Sequence, residues 1–139
     1  MSYLLDTNVL AEIRKPRAHG GVMAWFESVE AAELYLSVMT VGEIQQGVER
    51  LRRRDPRQAA VYEAWLRRLR RQYSDRVLPI TEEIAVEWGR LNAGDPLPVV
   101  DGLLAATAGV HHLTLVTRNV ADFDRTGVPL LDPFEWPQG

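Results

Sequence analysis

The feature that most limits the fold of this chain is an alternation of short apolar segments with longer amphipathic ones. The apolar segments have the length of β-strands and cover residues 3–5, 34–38, 77–80, 113–117 and 128–131. Each of the first four is followed by a stretch with helical periodicity. Consecutive strands joined by helices pair in parallel, and the helices pack on the faces of the sheet. The sequence therefore predicts an α/β fold, a three-layer α/β/α domain with a central, mainly parallel sheet.

Two consecutive helices are predicted between the second and third strands, and they form a helical hairpin that protrudes from the sheet. The first opens at Thr40, where a hydroxyl and Glu43 have the spacing of a capping box. The second opens at Asp55-Pro56, with an acid as cap and proline in the first turn. Pro79 removes a backbone donor from the third strand, which favours a place for that strand at an edge of the sheet.

The composition is that of a globular chain with an uneven distribution of charge. Because 46% of the 139 residues are hydrophobic, we expect one domain over residues 1–139 with a packed core. No apolar run is long enough to cross a membrane, and the absence of cysteine suits a reducing cytoplasm. The net charge is −3, yet ten arginines and only three acids lie between Arg50 and Arg76. This basic segment is either a solvated helix face or a surface that attracts nucleic acid.

Asp6 ends the first apolar segment and opens the first helix. Asp, Thr and Asn at positions 6–8 each favour a strand-to-helix turn, because their side chains bond nearby backbone N–H groups. In an open parallel sheet, ligands bind at the carboxyl ends of the strands. Asp6 is therefore either a helix cap or part of a site, and this segment alone does not decide between the two.

Three further acids occupy similar positions. Glu43 is predicted in the first turn of the helix after the second strand, Asp101 in the first turn of a later, small-residue helix, and Asp122 after the fourth strand. Taken alone, each has a structural explanation as a cap, a helix-dipole partner or a surface acid. If the sheet is parallel, however, these acids and Asp6 converge at one rim. Three hydroxyls are expected near them, those of Thr7, Thr40 and Thr117.

Four converging carboxylates need a counter-ion. Without one they repel, and at least one of them keeps its proton at neutral pH. Mg²⁺ and Mn²⁺ prefer oxygen ligands and remove this conflict. One or two such ions can activate a water molecule and stabilise the leaving oxygen of a phosphodiester. His111 and His112 lie at a helix end, far from these acids in sequence, and are interpreted as packing or surface residues rather than zinc ligands.

Four segments of the chain, in order, resemble the motifs of PIN-domain ribonucleases. They are LDTNVL at residues 5–10, Glu43-Ile44, DGLLAATA at residues 101–108 and LVTRNVADF at residues 115–123. The resemblance covers nearly the whole chain, with Gly102 standing where the family often has alanine. The length and the arginine-rich hairpin are most similar to the VapC branch, the toxins of bacterial toxin–antitoxin pairs.

This resemblance implies an endoribonuclease that depends on Mg²⁺ or Mn²⁺ and acts on structured RNA such as tRNA. It assigns metal binding, directly or through water, to four acids, and supporting roles to three polar residues. The acids are Asp6, Glu43, Asp101 and Asp122, and the supporting residues are Thr7, Thr117 and Asn119. Of these, Thr117 is expected to hold a water molecule or a metal ion, and Asn119 to orient carboxylates. The family also implies a homodimer, a cognate antitoxin that covers the site, and action in the cytoplasm.

We expect cations of the arginine-rich hairpin and of the segment after the first helix to bind RNA phosphates. The predicted contacts are Arg14, Lys15, Arg17, Arg67, Arg68 and Arg71. The apolar side of the hairpin, with Tyr62 and Trp65, can instead receive the antitoxin or the second copy of a dimer.

Two alternatives to the ribonuclease remain open. One is a non-catalytic binding protein with the same fold. The other is a phosphatase with Asp6 as nucleophile. Such a phosphatase usually needs a second acid two residues later, where this chain has Asn8.

Overall fold

The computed structural model describes residues 1–137 and contains a five-stranded parallel sheet. The strands are β1 (Tyr3–Leu5), β2 (Leu34–Ser37), β3 (Val77–Leu78), β4 (Thr114–Val116) and β5 (Leu130–Leu131). They lie in the order β3-β2-β1-β4-β5, and each neighbouring pair is parallel. The predicted α/β fold is thus confirmed, with the first strand at the centre of the sheet. Residues 138 and 139 of the predicted domain lie outside the described residues.

Within residues 1–137, seven α-helices connect and flank the strands. They are α1 (Thr7–Ile13), α2 (Gly20–Ser28), α3 (Val38–Arg52), α4 (Pro56–Gln72), α5 (Glu82–Leu91), α6 (Val99–His111) and α7 (Val120–Phe123). Short 3-10 turns occur at Ala31–Glu33, Asp124–Thr126 and Pro133–Glu135. None of the helices in this part of the chain combines the length and apolar character needed to cross a membrane.

The sheet carries a separate apolar core on each face. Leu5 lies in one core with Trp25 of α2, whereas the preceding residue, Leu4, lies in the other with Leu104 of α6. Successive strand residues point to opposite faces, so a strand that is covered on both sides must be apolar throughout. Both leucines are fully buried. This burial explains why the strands read as continuous apolar runs rather than as alternating ones.

Helices α3 and α4 form the predicted helical hairpin, and its base is part of the core. Leu66 and Leu69 of α4, and Tyr73 at its C-cap, are buried in the same cluster as Leu5 and Leu36 of the sheet. The apolar stripe of α4 therefore closes one face of the sheet. As Pro79 predicts, β3 lies at an edge of the sheet, but it ends at Leu78 rather than at Ile80.

The start of α3 differs from the prediction. Ser37, not Thr40, is the N-cap, because its Oγ accepts a hydrogen bond from the backbone N–H of Met39 at 3.0 Å. Thr40 lies inside the helix, where its buried hydroxyl has no hydrogen-bond partner among residues 1–137. The capping-box prediction is therefore wrong, since a serine at the end of β2 already supplies the cap. Glu43 moves to the second turn of α3, and its carboxylate is free for other contacts.

Replacing Ser37 with alanine is expected to lower the free energy of unfolding by about 1 kcal/mol, because the helix loses its cap. Thr40→Val keeps the shape of the side chain and removes an unpaired buried hydroxyl, so it is expected to leave stability unchanged or to raise it. Urea unfolding followed by circular dichroism measures both variants. A larger loss in Thr40→Val than in Ser37→Ala would contradict the structure.

Candidate active site

Asp6 is at once a helix cap and the centre of a polar cluster at the carboxyl end of β1. Its Oδ1 accepts a hydrogen bond from the backbone N–H of Thr7 at 2.7 Å, which makes Asp6 the N-cap of α1. Its Oδ2 accepts hydrogen bonds from Thr117 Oγ1 at 2.8 Å and from Asn8 Nδ2 at 3.4 Å. Only 6% of Asp6 is exposed. The capping role and a place in a site are therefore compatible.

Thr7 brings Glu43 to the same end of the sheet. Its Oγ1 donates a hydrogen bond to Glu43 Oε1 at 2.8 Å, while its backbone N–H is bound to Asp6. One residue thus contacts both the carboxylate that caps α1 and a carboxylate of α3. This contact holds the middle of α3 against the start of α1.

The negative charges of the other three predicted acids act on Asp101. It lies in the first turn of α6 and is partly buried. Burial raises the pKa of its carboxyl, and repulsion from Asp6, Glu43 and Asp122 raises that pKa further. Asp122 itself is exposed on α7. The structure therefore brings the four acids into one electrostatic neighbourhood.

The carboxyl of Asp6 is subject to opposing effects. Burial raises its pKa, and the charge of Glu43 acts in the same direction. The hydrogen bonds from Thr117 and Thr7 lower that pKa, because they stabilise the ionised form. The polar contacts of Asp6 thus partly offset the cost of burying its charge.

The loop after β4 supplies one donor to Asp6, the hydroxyl of Thr117. Thr117 is fully buried, and its Oγ1 also accepts a hydrogen bond from the backbone N–H of Asn119 at 3.1 Å. The side-chain amide that reaches Asp6 belongs to Asn8, whose Oδ1 accepts a hydrogen bond from the backbone N–H of Arg118 at 3.3 Å. Asn8 is not among the residues predicted for the site. Its position two residues after Asp6 in a predicted turn is the signal that could have indicated it.

The acids do not form a closed cage. Among residues 1–137, no three His, Cys, Asp or Glu side chains are grouped closely enough to hold a metal ion between them. The side chains near Asp6 carry carboxylate, hydroxyl and amide groups, and hard divalent cations prefer oxygen ligands. Mg²⁺ usually keeps several water molecules and takes only one or two carboxylates directly. The residues present therefore fit a hydrated cation better than one enclosed by protein ligands.

Gly102, next to Asp101, allows α5 to pack against the start of α6. A Cβ at this position would lie 2.9 Å from Asn92 Nδ2 and 3.0 Å from the Trp88 ring. Asn92 is held in place, because its Nδ2 donates to the Trp88 carbonyl and its Oδ1 accepts from the backbone N–H of Leu97. The absence of a side chain at position 102 thus sets how closely α5 approaches the turn that carries Asp101.

Gly102→Ala is expected to lower the free energy of unfolding by about 1 kcal/mol, since crowding outweighs the helix propensity of alanine. The matched control is Gly109→Ala in the same helix, where a Cβ meets no other atom within 4 Å. That substitution is expected to stabilise the protein by up to about 1 kcal/mol. Thermal unfolding of both variants tests the comparison, and equal stabilisation would show that α5 does not constrain position 102.

Two of the predicted RNA-binding residues are engaged by other side chains. The guanidinium of Arg14 lies 4.6 Å from the centroid of the Tyr62 ring and 5.3 Å from that of Trp65. These two rings stack 5.6 Å apart. Lys15 is paired with Glu12 at 3.0 Å. Arg14 therefore joins α1 to the hairpin, and only part of its surface is available to a ligand.

The remaining predicted cations lie on the surface of the hairpin and its surroundings. Arg67 is 3.8 Å from Glu63 in an exposed ion pair, which contributes little to stability. The other exposed cations of the set are Arg17, Arg68 and Arg71. Arg67 and Arg71 line a groove of about 550 Å³, together with Val38, Val41, Arg70, Ser74 and Val77. Its lining is both basic and apolar, so its chemistry suits contact with RNA phosphates as well as with protein.

Comparison with known proteins identifies the class of this domain. Residues 3–129 match the family model of the PIN domain, and the chain therefore belongs to the PIN-domain family. The family resemblance seen in the sequence motifs is thus confirmed.

Similar proteins include a toxin and a VapC ribonuclease. The toxin FitB of Neisseria gonorrhoeae is 31% identical over 136 residues, which cover 94% of this chain and 97% of the relative. The VapC ribonuclease Y4jK of Sinorhizobium fredii is 31% identical over 140 residues, 95% of this chain and 97% of the relative. The crystal structure of FitAcB from Neisseria gonorrhoeae superimposes with a TM-score of 0.87 at 31% identity, covering 96% of this chain and 99% of that one.

Proposed function

We propose that this chain is a PIN-domain ribonuclease toxin that is neutralised by an antitoxin. The observation that carries the proposal is the convergence of four acids at one end of the sheet. Thr7 forms hydrogen bonds with both Asp6 and Glu43, and the charges of these two acids and of Asp122 add to burial in raising the pKa of Asp101. Relatives named as a toxin and as a VapC ribonuclease support it. A toxin–antitoxin complex from Klebsiella pneumoniae has a similar fold, with a TM-score of 0.70 at 26% identity over 95% of this chain and 98% of that one. The phosphatase alternative is disfavoured, because Asn8 donates a hydrogen bond to Asp6 where a second acid would be needed.

The acids support a site for Mg²⁺ or Mn²⁺. Asp6, Glu43, Asp101 and Asp122 would hold the ion, directly or through water, because a divalent charge offsets both their burial and their mutual repulsion. A bound ion of this kind supplies an activated water molecule and stabilises the charge that develops on a phosphodiester.

The polar residues around the acids orient the carboxylates of Asp6 and Glu43. Thr117 and Asn8 donate to Oδ2 of Asp6, and the backbone N–H of Thr7 donates to Oδ1, so the carboxylate is fixed at both oxygens. The hydroxyl of Thr7 fixes Glu43 relative to Asp6. Asp101 and Asp122 accept none of the hydrogen bonds described above. Their carboxylates would therefore adjust to a bound ion.

The same proposal covers the partners of the site. We expect structured RNA such as tRNA as substrate, with its phosphates attracted by the basic hairpin and by Arg14, Lys15 and Arg17. We also expect a homodimer, a cognate antitoxin that covers the acids, and action in the cytoplasm.

RNA cleavage by the purified, antitoxin-free chain tests the proposal. Transfer RNA and total RNA are incubated with Mg²⁺ or Mn²⁺, and parallel reactions contain EDTA. Cleavage is expected only with the metal and only in the wild type, not in Asp6→Asn. Equal cleavage by both proteins would show that another nuclease is responsible. A folded wild type that binds RNA or antitoxin but leaves every RNA intact would favour the non-catalytic binding protein.

A further inference from the structure

Arg118 is a positive charge at the rim of the sheet that carries the acids. It directly follows Thr117, whose hydroxyl donates to Asp6 at 2.8 Å. The backbone N–H of Arg118 donates to Asn8 Oδ1 at 3.3 Å, and Asn8 Nδ2 in turn donates to Asp6. Both contacts hold the backbone of Arg118 beside the polar cluster of Asp6.

An aromatic ring holds the other end of this side chain. The Cζ atom of Arg118 lies 4.5 Å from the centroid of the Phe134 ring. Phe134 belongs to the 3-10 turn Pro133–Glu135, and its backbone N–H donates to Asp132 Oδ1 at 2.9 Å. The ring also packs against His19, with the two centroids 5.1 Å apart. Because the ring is fixed, its contact with the flat face of the guanidinium restricts the rotamers of the Arg118 side chain. The N–H groups at the edge of the guanidinium stay available.

No acid among residues 1–137 forms an ion pair with Arg118. Arg118 is exposed, and four carboxylates lie at the same end of the sheet. An RNA phosphate that approaches these carboxylates brings further negative charge into a negative region. A planar guanidinium that offers two parallel N–H donors is the side chain best suited to bind such a phosphate.

We propose that Arg118 binds a phosphate of the RNA substrate beside the acid cluster, and that Phe134 positions its guanidinium. This inference rests on the proposed ribonuclease function and assigns a substrate contact to it. Arg118 is the group that touches the substrate, and Phe134 is a positioning residue that acts through Arg118.

The salt dependence of RNA binding tests Arg118 separately from the chemistry. Affinity for a short single-stranded oligoribonucleotide is measured in EDTA, where no cleavage is expected, over a series of salt concentrations. The loss of one phosphate contact reduces the slope of log K against log salt by about 0.7. Arg118→Ala is expected to show this reduction. The matched control is Arg90→Ala, because Arg90 is exposed and lines a surface cleft with His112 and Pro129, at the opposite end of the sheet from the acids.

The cleavage rate in Mg²⁺ tests how Phe134 acts. Arg118→Ala is expected to lower kcat/KM on the order of 100-fold, with unfolding unchanged. Phe134→Leu is expected to lower kcat/KM less and to keep the wild-type salt slope, since the charge remains. Phe134→Tyr keeps the ring and is expected to retain wild-type activity. In the Arg118→Ala background, Phe134→Leu is expected to have no further effect on cleavage, because the group that it positions is already absent.

The outcomes separate this inference from the function on which it rests. A wild-type salt slope and wild-type kcat/KM in Arg118→Ala would overturn the phosphate contact, even while the wild type cleaves RNA. An equal loss on Phe134→Leu in both backgrounds would overturn the positioning role and leave Phe134 a purely structural residue. If the wild type cleaves no RNA, the ribonuclease proposal fails, and the salt slope alone then decides whether Arg118 binds phosphate.

Discussion

Asp101→Asn is expected to lower RNA cleavage about 1000-fold and, at the same time, to make the metal-free protein more stable. Asparagine keeps the shape of the side chain but replaces a charged metal ligand with a neutral one. The loss of activity follows from the weaker binding of a divalent ion among the remaining acids. The gain in stability follows from the burial of the same carboxylate and from its repulsion by the other acids when no ion is present.

The direction of the stability change follows from the pKa of Asp101. Burial and the charges of the other three acids raise this pKa above its ordinary value of 3.8. The folded protein therefore holds the proton more tightly than the unfolded chain does. As the pH rises from 3.8 through the raised pKa, Asp101 makes the folded state progressively less stable, and the loss persists at neutral pH. Asn at this position removes that loss because it carries no charge.

Thermal unfolding in EDTA and in Mg²⁺, together with RNA cleavage, measures both effects. The melting temperature of Asp101→Asn is expected to exceed that of the wild type in EDTA and to respond less to Mg²⁺. Asp124→Asn is the control, because Asp124 is an exposed acid in the 3-10 turn that follows α7. This substitution should change neither property. A variant that is less stable in EDTA would indicate that Asp101 mainly supports the first turn of α6. Wild-type cleavage by the variant would remove Asp101 from the metal site.

The sequence predicted the strands well because the sheet is buried on both faces. Leu4 and Leu5 enter opposite cores, so both must be apolar, and the run is visible without any knowledge of its neighbours. The start of α3 was not predictable in this way. Ser37 and Thr40 are both capable caps, and the choice depends on how far β2 extends. Pairing of Ser37 with Leu78 carries β2 to residue 37, so that α3 begins immediately afterwards.

The candidate acids could be found from sequence, but the contacts between them could not. Each acid follows a strand or lies near the start of a helix, and these are local features. The hydrogen bond from Thr117 to Asp6 joins residues 111 positions apart, and that from Thr7 to Glu43 spans 36. No local periodicity encodes such pairs, because they depend on the order of strands in the sheet. The stacking of Arg118 on Phe134 escapes sequence analysis for the same reason.

Thr117→Val is expected to lower the free energy of unfolding by about 2 kcal/mol at neutral pH in the absence of metal. The hydroxyl of Thr117 is fully buried and donates to the carboxylate of Asp6, which is itself only 6% exposed. Valine has the same shape but no donor, so a buried charge loses one of its hydrogen bonds. The matched control is Thr107→Val, which removes an equally buried hydroxyl that donates to the neutral carbonyl of Leu103 at 2.7 Å.

The pH dependence distinguishes the two threonines. The hydrogen bond from Thr117 lowers the pKa of Asp6 against the effect of burial, so its removal moves that pKa further up. The difference in stability between the wild type and Thr117→Val should therefore grow as the pH rises from the folded-state pKa of Asp6 in the wild type to the higher one in the variant. Below both values Asp6 is protonated in either protein, and the difference should shrink. Thr107→Val should show a constant difference from the wild type, because its partner carries no charge. Urea unfolding over a pH series in EDTA measures these differences, and parallel curves for Thr117→Val would mean that Asp6 does not depend on Thr117 to hold its charge.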